Sequence, residues 1–258
     1  MGGQRVWTLV RPAYWHAVRR MSGDAGVEIQ LSDGHGYRLD PELFAWRLEQ
    51  YEPALVQVLL EAIQQNFVVY DIGSHVGLMA LMAARRLRPG RGRVYAFEPS
   101  PDNFSRLQRH VRINQFDDRV TAVQTLVGDR DDDHVSFAYR PGQFTANSMA
   151  YELEGSRRIT VPMTTIDAFM QKTSAAPADV VKIDVEGYEH AVVKGMRALL
   201  DTTRPVVLCA IHPEPLSLLG SSPSAVIGEM AQSGYRAYDL SGAEVHTAGF
   251  EDIVFRAA

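Results

Sequence analysis

The chain has 258 residues, 46% of them hydrophobic and 22% charged, with a formal net charge of −5. That is enough chain for one large α/β core and requires no second domain. The acidic balance with scattered Lys and Arg excludes a broad electrostatic grip on nucleic acid, and a single cysteine, Cys209, excludes an intramolecular disulfide framework and fits a reducing compartment.

Met1 to Arg20 mixes Arg5, Arg11, Arg19 and Arg20 with Trp7, Tyr14 and Trp15, without the continuous apolar stretch of a secretion signal. No run approaches the roughly 18 apolar residues of a transmembrane helix. The expectation is a cytoplasmic protein whose first residues form a lid, a homodimer contact or a loose membrane-surface contact.

Val27–Leu31 and Tyr37–Leu39 flank Ser-Asp-Gly-His-Gly, which reads as a hairpin. From Pro53 to Gln64, Leu55, Val58, Leu59, Ala62 and Ile63 recur at helical spacing. A boundary is therefore expected between an N-terminal extension, residues 1–50, and a main domain, residues 51–258. Phe67–Tyr70 reads as a buried strand, and Leu78, Met79, Leu81, Met82 and Ala83 begin a helix. There follow a strand at Arg93–Phe97, a helix at Phe104–Ile113 and a strand at Val120–Val127. Further on come a strand at Val180–Ile183, a helix at His190–Leu200, a strand at Pro205–Ile211 and a helix at Ala225–Ser233. Tyr235–Leu240 and Asp252–Ala257 close the series as strands, the last an antiparallel insertion. Such alternation predicts a doubly wound, mostly parallel sheet whose ligand lies at the strand carboxyl ends. Between Val135 and Ile166 the pattern changes to short polar-interrupted strands, Val135–Tyr139 and Arg158–Pro162, joined by Gly142–Met149. This excursion is longer than a simple crossover and is a candidate substrate cover.

Asp71-Ile-Gly-Ser-His-Val-Gly77 lies at the turn from the first buried strand into its helix. A dinucleotide fingerprint needs G-x-G-x-x-G to pack backbone against a pyrophosphate, whereas Gly73 and Gly77 are spaced G-x-x-x-G with Ser74 and His75 between. That spacing suits S-adenosylmethionine, its α-ammonium meeting Asp71 and its carboxylate facing the backbone amides of the turn and helix. Glu98 ends the next strand, 21 positions after Gly77, where a carboxylate can accept both ribose hydroxyls; Pro99 and Pro101 stop the strand there.

Asp179–Glu189 presents Asp184 and Glu186 at another strand end. Lys182 and Asp184 share a strand face, so an ion pair is available. Asp184 is a candidate for cofactor contact and for catalysis, and Glu186 for substrate contact; the alternative is that these charges pair among themselves and with Glu189 to pin a turn. His212 follows the Pro205–Ile211 strand and is a candidate general base, the alternative being a hydrogen-bonded structural histidine. A metal site would need His212 with Asp184 and Glu186, but these show no compact ligand spacing, and no metal is expected. Asp129–Asp133 reads as a solvated acidic turn. In the excursion Phe144, Asn147 and Ser148 suit a polyol, the ring stacking on a sugar face and the polar groups bonding its hydroxyls.

Asp71–Gly77, Phe97-Glu-Pro99, Lys182-Ile-Asp-Val-Glu-Gly187 and Glu189 together resemble the FkbM family of S-adenosylmethionine-dependent methyltransferases, a likeness extending from about Tyr51 to His212. Thr165-Ile-Asp-Ala-Phe169 and Asn147-Ser148 fit the same order of motifs. The resemblance implies a class I, Rossmann-like methyltransferase fold with a seven-stranded sheet. It also implies methyl transfer to oxygen, on a hydroxyl of a sugar, glycolipid or natural product. Cys209-Ala210 stand where the family often has an acidic residue before Ile-His, which shifts weight onto His212 or Asp184. A nicotinamide-dependent oxidoreductase lacks its G-x-G-x-x-G and a Tyr-x-x-x-Lys pair; a non-catalytic scaffold is opposed by intact Asp71, Gly73, Gly77, Glu98 and Asp184. The mechanism expected is in-line displacement, aided by alignment and a proton acceptor.

Overall fold

The computed structural model describes residues 25–139, 155–249 and 251–258. All four residues of strand Val180–Ile183 are buried, so helices must cover both of its faces. In chain order the elements are β1 (Val27–Gln30), β2 (Gly36–Leu39), α1 (Pro53–Ala62), β3 (Val68–Ile72), α2 (Leu78–Arg86), β4 (Arg93–Phe97), α3 (Pro101–Ile113) and β5 (Val120–Val123). Then come β6 (Leu126–Val127), β7 (Asp132–Tyr139), β8 (Arg157–Thr164), α4 (Ile166–Thr173), β9 (Val180–Ile183), α5 (Glu189–Lys194) and α6 (Arg197–Thr202). The last are β10 (Val206–Ile211), α7 (Pro213–Leu218), α8 (Pro223–Gln232), β11 (Tyr235–Tyr238) and β12 (Glu251–Ala257).

The main sheet has seven strands in the order β11-β12-β10-β9-β3-β4-β5. Neighbours from β10 to β5 pair in parallel, while β12 runs antiparallel to both β10 and β11. The chain winds outward from β3 to β5, then returns to lay β9 on the other side of β3. That reversal opens a crevice at the carboxyl ends of β3 and β9, where a doubly wound sheet receives its ligand. One face of the sheet is covered by α1, α2 and α3 through Leu55, Leu59, Leu81 and Leu107, and the other by α4 to α8 through Phe169, Val193, Leu200, Leu216 and Met230.

The expected strand over Val120–Val127 is in fact two. Thr125 Oγ1 donates to the Pro162 carbonyl at 2.9 Å, and β6 turns away to pair with β8 in a separate three-stranded sheet, β6-β8-β7. The expected helix over His190–Leu200 is likewise divided, into α5 and α6. At the break a Cβ on Gly195 would stand 1.9 Å from the Gly128 carbonyl oxygen, a contact that only glycine allows. The helix expected from Phe104 begins earlier, with Pro101 in its first turn. Helices α4 and α7 were not anticipated as elements; α4 is capped by Thr165, whose side chain accepts from the Ala168 amide. The residues expected to cover the site, Phe144, Asn147 and Ser148, and the Trp7–Trp15 segment, lie outside the described residues.

The described part of the N-terminal extension shares its core with the sheet. Ile29, Leu31, Tyr37, Leu39, Leu43 and Leu48 pack in one cluster with residues of α1, α2, β4 and β9. Asp40, fully buried, accepts charge-assisted bonds from Arg106 and Arg109 of α3. Its backbone N–H donates to His110 Nε2 at 3.0 Å, which leaves Nδ1 of His110 as the donor to the Val76 carbonyl at 2.8 Å. Hairpin, α3 and glycine turn are thereby connected. Among the described residues no helix is long and apolar enough to cross a membrane.

Candidate active site

A cleft of about 230 Å³ opens at the carboxyl ends of β4, β3 and β9. Gly73, Ser74, His75, Glu98, Pro99, Asp184 and Glu186, all singled out from sequence, lie on its wall. A larger hollow of about 820 Å³, lined in part by Asp33, His35, Gln64 and Arg85, sits beside Asn66 and Phe67 at the opposite end of β3 and contains none of the motif residues. The chemistry-bearing residues therefore identify the smaller cleft as the site.

The glycine turn spends its amides internally. Gly73 and Ser74 both donate to the Phe97 carbonyl, at 3.0 and 2.9 Å, Gly77 donates to the Ser74 carbonyl at 2.8 Å, and His75 donates to Glu98 Oε2 at 2.9 Å. The expected cradle of amides for a cofactor carboxylate thus reduces to the first turn of α2 behind Gly77. Gly73 is glycine because φ is +79° and a Cβ would stand 1.8 Å from the Asp184 carbonyl oxygen: the close neighbour is β9's own exit, not a ligand. Ser74 Oγ donates to the Asp71 carbonyl at 2.6 Å, and the His75 ring, on a backbone with φ of 53°, stacks on Trp46 with centroids 6.1 Å apart.

Glu98 holds this turn to the next helix. Its second oxygen accepts the Ser100 N–H at 2.9 Å, and Asn103 also bonds the carboxylate. Burial pushes its pKa up to about 7, against the lowering effect of the hydrogen bonds from Ser100, His75 and Asn103.

Asp71 differs from expectation. It is 2% exposed and lies beneath the cleft, outside its wall, where neither carboxylate oxygen makes a hydrogen bond and Lys182 Nζ stands 3.4 Å away. Lys182 covers it, donating to the Gly73 carbonyl at 3.0 Å and pairing with Asp184 at 3.4 Å, as the shared strand face predicted. Burial works to strip the lysine's proton, but Asp184, Asp71, Tyr51 and Glu52 outweigh it and hold the charge. Burial also raises the Asp71 pKa, opposed by Lys182.

Across the cleft from Glu98, the exits of β9 and β10 bring four groups together. His212 Nδ1 donates to Glu189 Oε1 at 2.7 Å, and the Gly187 N–H supports the same oxygen at 3.0 Å. The other ring nitrogen, Nε2, points toward Asp184 Oδ1 at 3.7 Å and Glu186 Oε2 at 3.8 Å. Burial favours the neutral imidazole, yet the Glu189 hydrogen bond and the charges of Glu189, Asp184 and Glu186 raise the His212 pKa above its ordinary value. Ligand atoms of Asp184, Glu186 and His212 lie within 4.8 Å of one another. The spacing that had argued against a metal in the sequence is overcome by β9 and β10 being neighbours. Glu189, read as an alternative partner in a pinned turn, is the residue that orients the imidazole.

Trp46, Tyr51, Glu52, Asn103, Thr125 and Phe137 line the cleft and were missed. Trp46 ends a short 3₁₀ helix, Pro41–Trp46, and Tyr51 follows another, Leu48–Gln50, segments too short for a periodicity to mark them. Phe137 lies on β7, so the excursion does reach the site. Cys209 is fully buried with a thiol pKa raised by burial, a core residue.

The chain matches the methyltransferase FkbM domain over residues 71–237. It is 27% identical over 167 residues to the hexuronic acid methyltransferase AglP of Haloferax volcanii, an alignment covering 63% of this chain and 64% of that one, so the chain spans under two thirds of that relative's length. In fold it is similar to the crystal structure of methyltransferase FkbM from Methylobacillus flagellatus KT, with a TM-score of 0.50 and 16% identity over 75% of this chain and 44% of that one. The glycine turn, the acid after β4, the Lys-Ile-Asp-Val-Glu-Gly exit of β9 and the matched span agree: this chain belongs to the methyltransferase FkbM domain family.

Proposed function

We propose that the protein transfers a methyl group from S-adenosylmethionine to a hydroxyl of a sugar-type acceptor. The observation that carries this reading is one cleft with a buried acid, Glu98, on one wall and Asp184 and Glu186 on the other, with the Glu189-bonded His212 ring 3.7 and 3.8 Å from those two carboxylates and outside the lining itself. The similarity to a hexuronic acid methyltransferase supports a sugar-type acceptor.

The residues fit such a cofactor. Glu98, which already accepts from His75, Ser100 and Asn103, has about one acceptor position left for a ribose hydroxyl, Thr125, Leu126, Val127 and Phe137 offer an apolar slot for a base, and the carboxylates around Lys182 suit a positively charged ligand. When bound, S-adenosylmethionine supplies a methyl group on a positively charged sulfur. The acceptor side needs a proton acceptor, and His212 Nε2 is oriented for it because Glu189 fixes the proton on Nδ1. Asp184 and Glu186 flank the route to that nitrogen and can position the acceptor hydroxyl. Phe144, Asn147 and Ser148 remain candidates for the sugar face, supported by the reach of β7 into the cleft.

Calorimetry with S-adenosylmethionine, S-adenosylhomocysteine and NAD tests the cofactor; binding of the first two without NAD is expected, and the reverse would discard the reading. Labelled methyl transfer to uronate, neutral and amino sugars tests the acceptor. The distances at Asp184, Glu186 and His212 also suit a divalent cation. With His212 acting as the base, turnover persists in a chelator; turnover that requires added Mg²⁺ or Mn²⁺ would favour the cation.

A further inference from the structure

Glu52 is one of three non-glycine cleft residues, with His75 and Glu186, that hold a left-handed backbone. It immediately precedes Pro53 at the start of α1, with φ 42° and ψ 52°, a left-handed conformation disfavoured for a residue with a Cβ. At such a position a carboxylate ordinarily caps the helix, but Glu52 makes no side-chain capping bond. The backbone instead delivers the side chain to the cleft wall beside Tyr51, Lys182 and Asp184.

The charge around it is unbalanced. Glu52, Asp71, Asp184 and Asp252 act on one another and on Lys182, the basic residue common to them. With His212 bearing on Asp184 and Asp252, four carboxylates share two basic groups, and Glu52 and Asp71 have Lys182 alone between them. Burial and the neighbouring acids push the Glu52 pKa up to about 7, with Lys182 opposing. Below them both oxygens of Asp71 lack a hydrogen bond and have only the Lys182 charge. The acids exceed the basic groups and leave room for a further cation.

Position identifies which cation. Glu98 follows β4 and Asp184 follows β9, with β3 between them. Two strand spacings are about 10 Å, the scale of the distance from the ribose hydroxyls to the amino-acid end of an extended adenosyl amino acid. Asp71, the acid beside the glycine turn, is covered by Lys182 and does not line the cleft, so it does not receive the ammonium of that end directly.

We infer that Glu52, together with Asp184, receives the α-ammonium of the cofactor's amino-acid end, and that the start of α1 is held in its left-handed turn to place that carboxylate. The inference rests on S-adenosylmethionine occupying this cleft, and it makes Glu52 a cofactor-positioning residue.

Two ligands separate this from a structural role: S-adenosylhomocysteine, which carries the amino-acid group, and methylthioadenosine, which lacks it. Calorimetry on wild type and Glu52→Gln should show S-adenosylhomocysteine weakened roughly tenfold, the loss of a charge-assisted bond, with methylthioadenosine unchanged. Glu52→Asp, which keeps the charge on a shorter arm, should recover part of the loss. Equal weakening of both ligands, or of neither, would overturn the assignment to Glu52. A folded wild-type protein that binds neither ligand would instead overturn the cofactor reading beneath it.

Discussion

On the proposed reading His212 takes the acceptor's proton and Glu98 holds the cofactor, and each role gives a distinct expectation. His212→Ala should keep cofactor affinity and lose methyl transfer by roughly 10²–10⁴-fold, the range for a general base. If it turns over normally while Asp184→Asn is inactive, the base is Asp184. Since the neighbouring carboxylates raise the His212 pKa above its ordinary value, the free-enzyme kcat/KM should fall on the acid side with a midpoint above that of an ordinary imidazole, and Glu189→Gln should move that midpoint down. A pH profile that does not respond to Glu189→Gln would remove His212 from the proton path. Glu98→Ala should cost about 2–4 kcal/mol of cofactor affinity, and, because its carboxylate accepts from His75 and Ser100, some stability as well. Unchanged affinity in a folded variant would take Glu98 out of the site. Glu98, Asp184 and His212 were legible in the sequence because each follows an apolar strand, and strand ends converge in a parallel sheet. Glu52 was not legible, since its role depends on a backbone turn that no periodicity marks. Nor was the covering of Asp71, because spacing does not show that a lysine 111 positions later would lie over it.

Helix α3 and the β1–β2 hairpin meet through Asp40, and that contact has a testable pH signature. Burial alone would raise the Asp40 pKa; contact with His110 and the charges of Arg106 and Arg109 instead lower it from 3.8 to about 2. A carboxylate with a depressed folded pKa adds stability above its unfolded value, lost as pH falls through the folded one. The shift corresponds to about 2 kcal/mol, present at neutral pH and fading from 3.8 toward 2. Asp40→Asn should therefore lower the urea midpoint at neutral pH and flatten the pH dependence of stability in that acidic window. A variant with an unaltered acid slope would show that the ion pairs contribute nothing. Elements were read well where one face stayed apolar, as in α1 and β9, and poorly where the chain was interrupted by a tertiary contact. Gly195 in a helical pattern is tolerable locally, and only the Gly128 carbonyl across from it breaks α5 from α6. Thr125 looks like an ordinary strand residue until its hydroxyl finds Pro162.

At the scale of the molecule, the hairpin shares a core cluster with α1, α2 and the sheet, so the boundary expected near residue 50 divides no hydrophobic core. Residues 25–50 should unfold with the sheet in one transition, coincident by circular dichroism and by the fluorescence of Trp46. Two separated transitions would restore the extension as an independent unit. The strand order carries a further consequence, for synthesis. Val69 pairs with Val180, and β12, residues 251–257, slots between β10 and β11. Until β12 has been made and has left the ribosome, β10 lacks its outer neighbour and β11 has no partner to pair with, and such an unpaired edge recruits other strands. The sheet therefore closes only with its last strand, and every earlier stage of folding leaves the outer edge of β10 open.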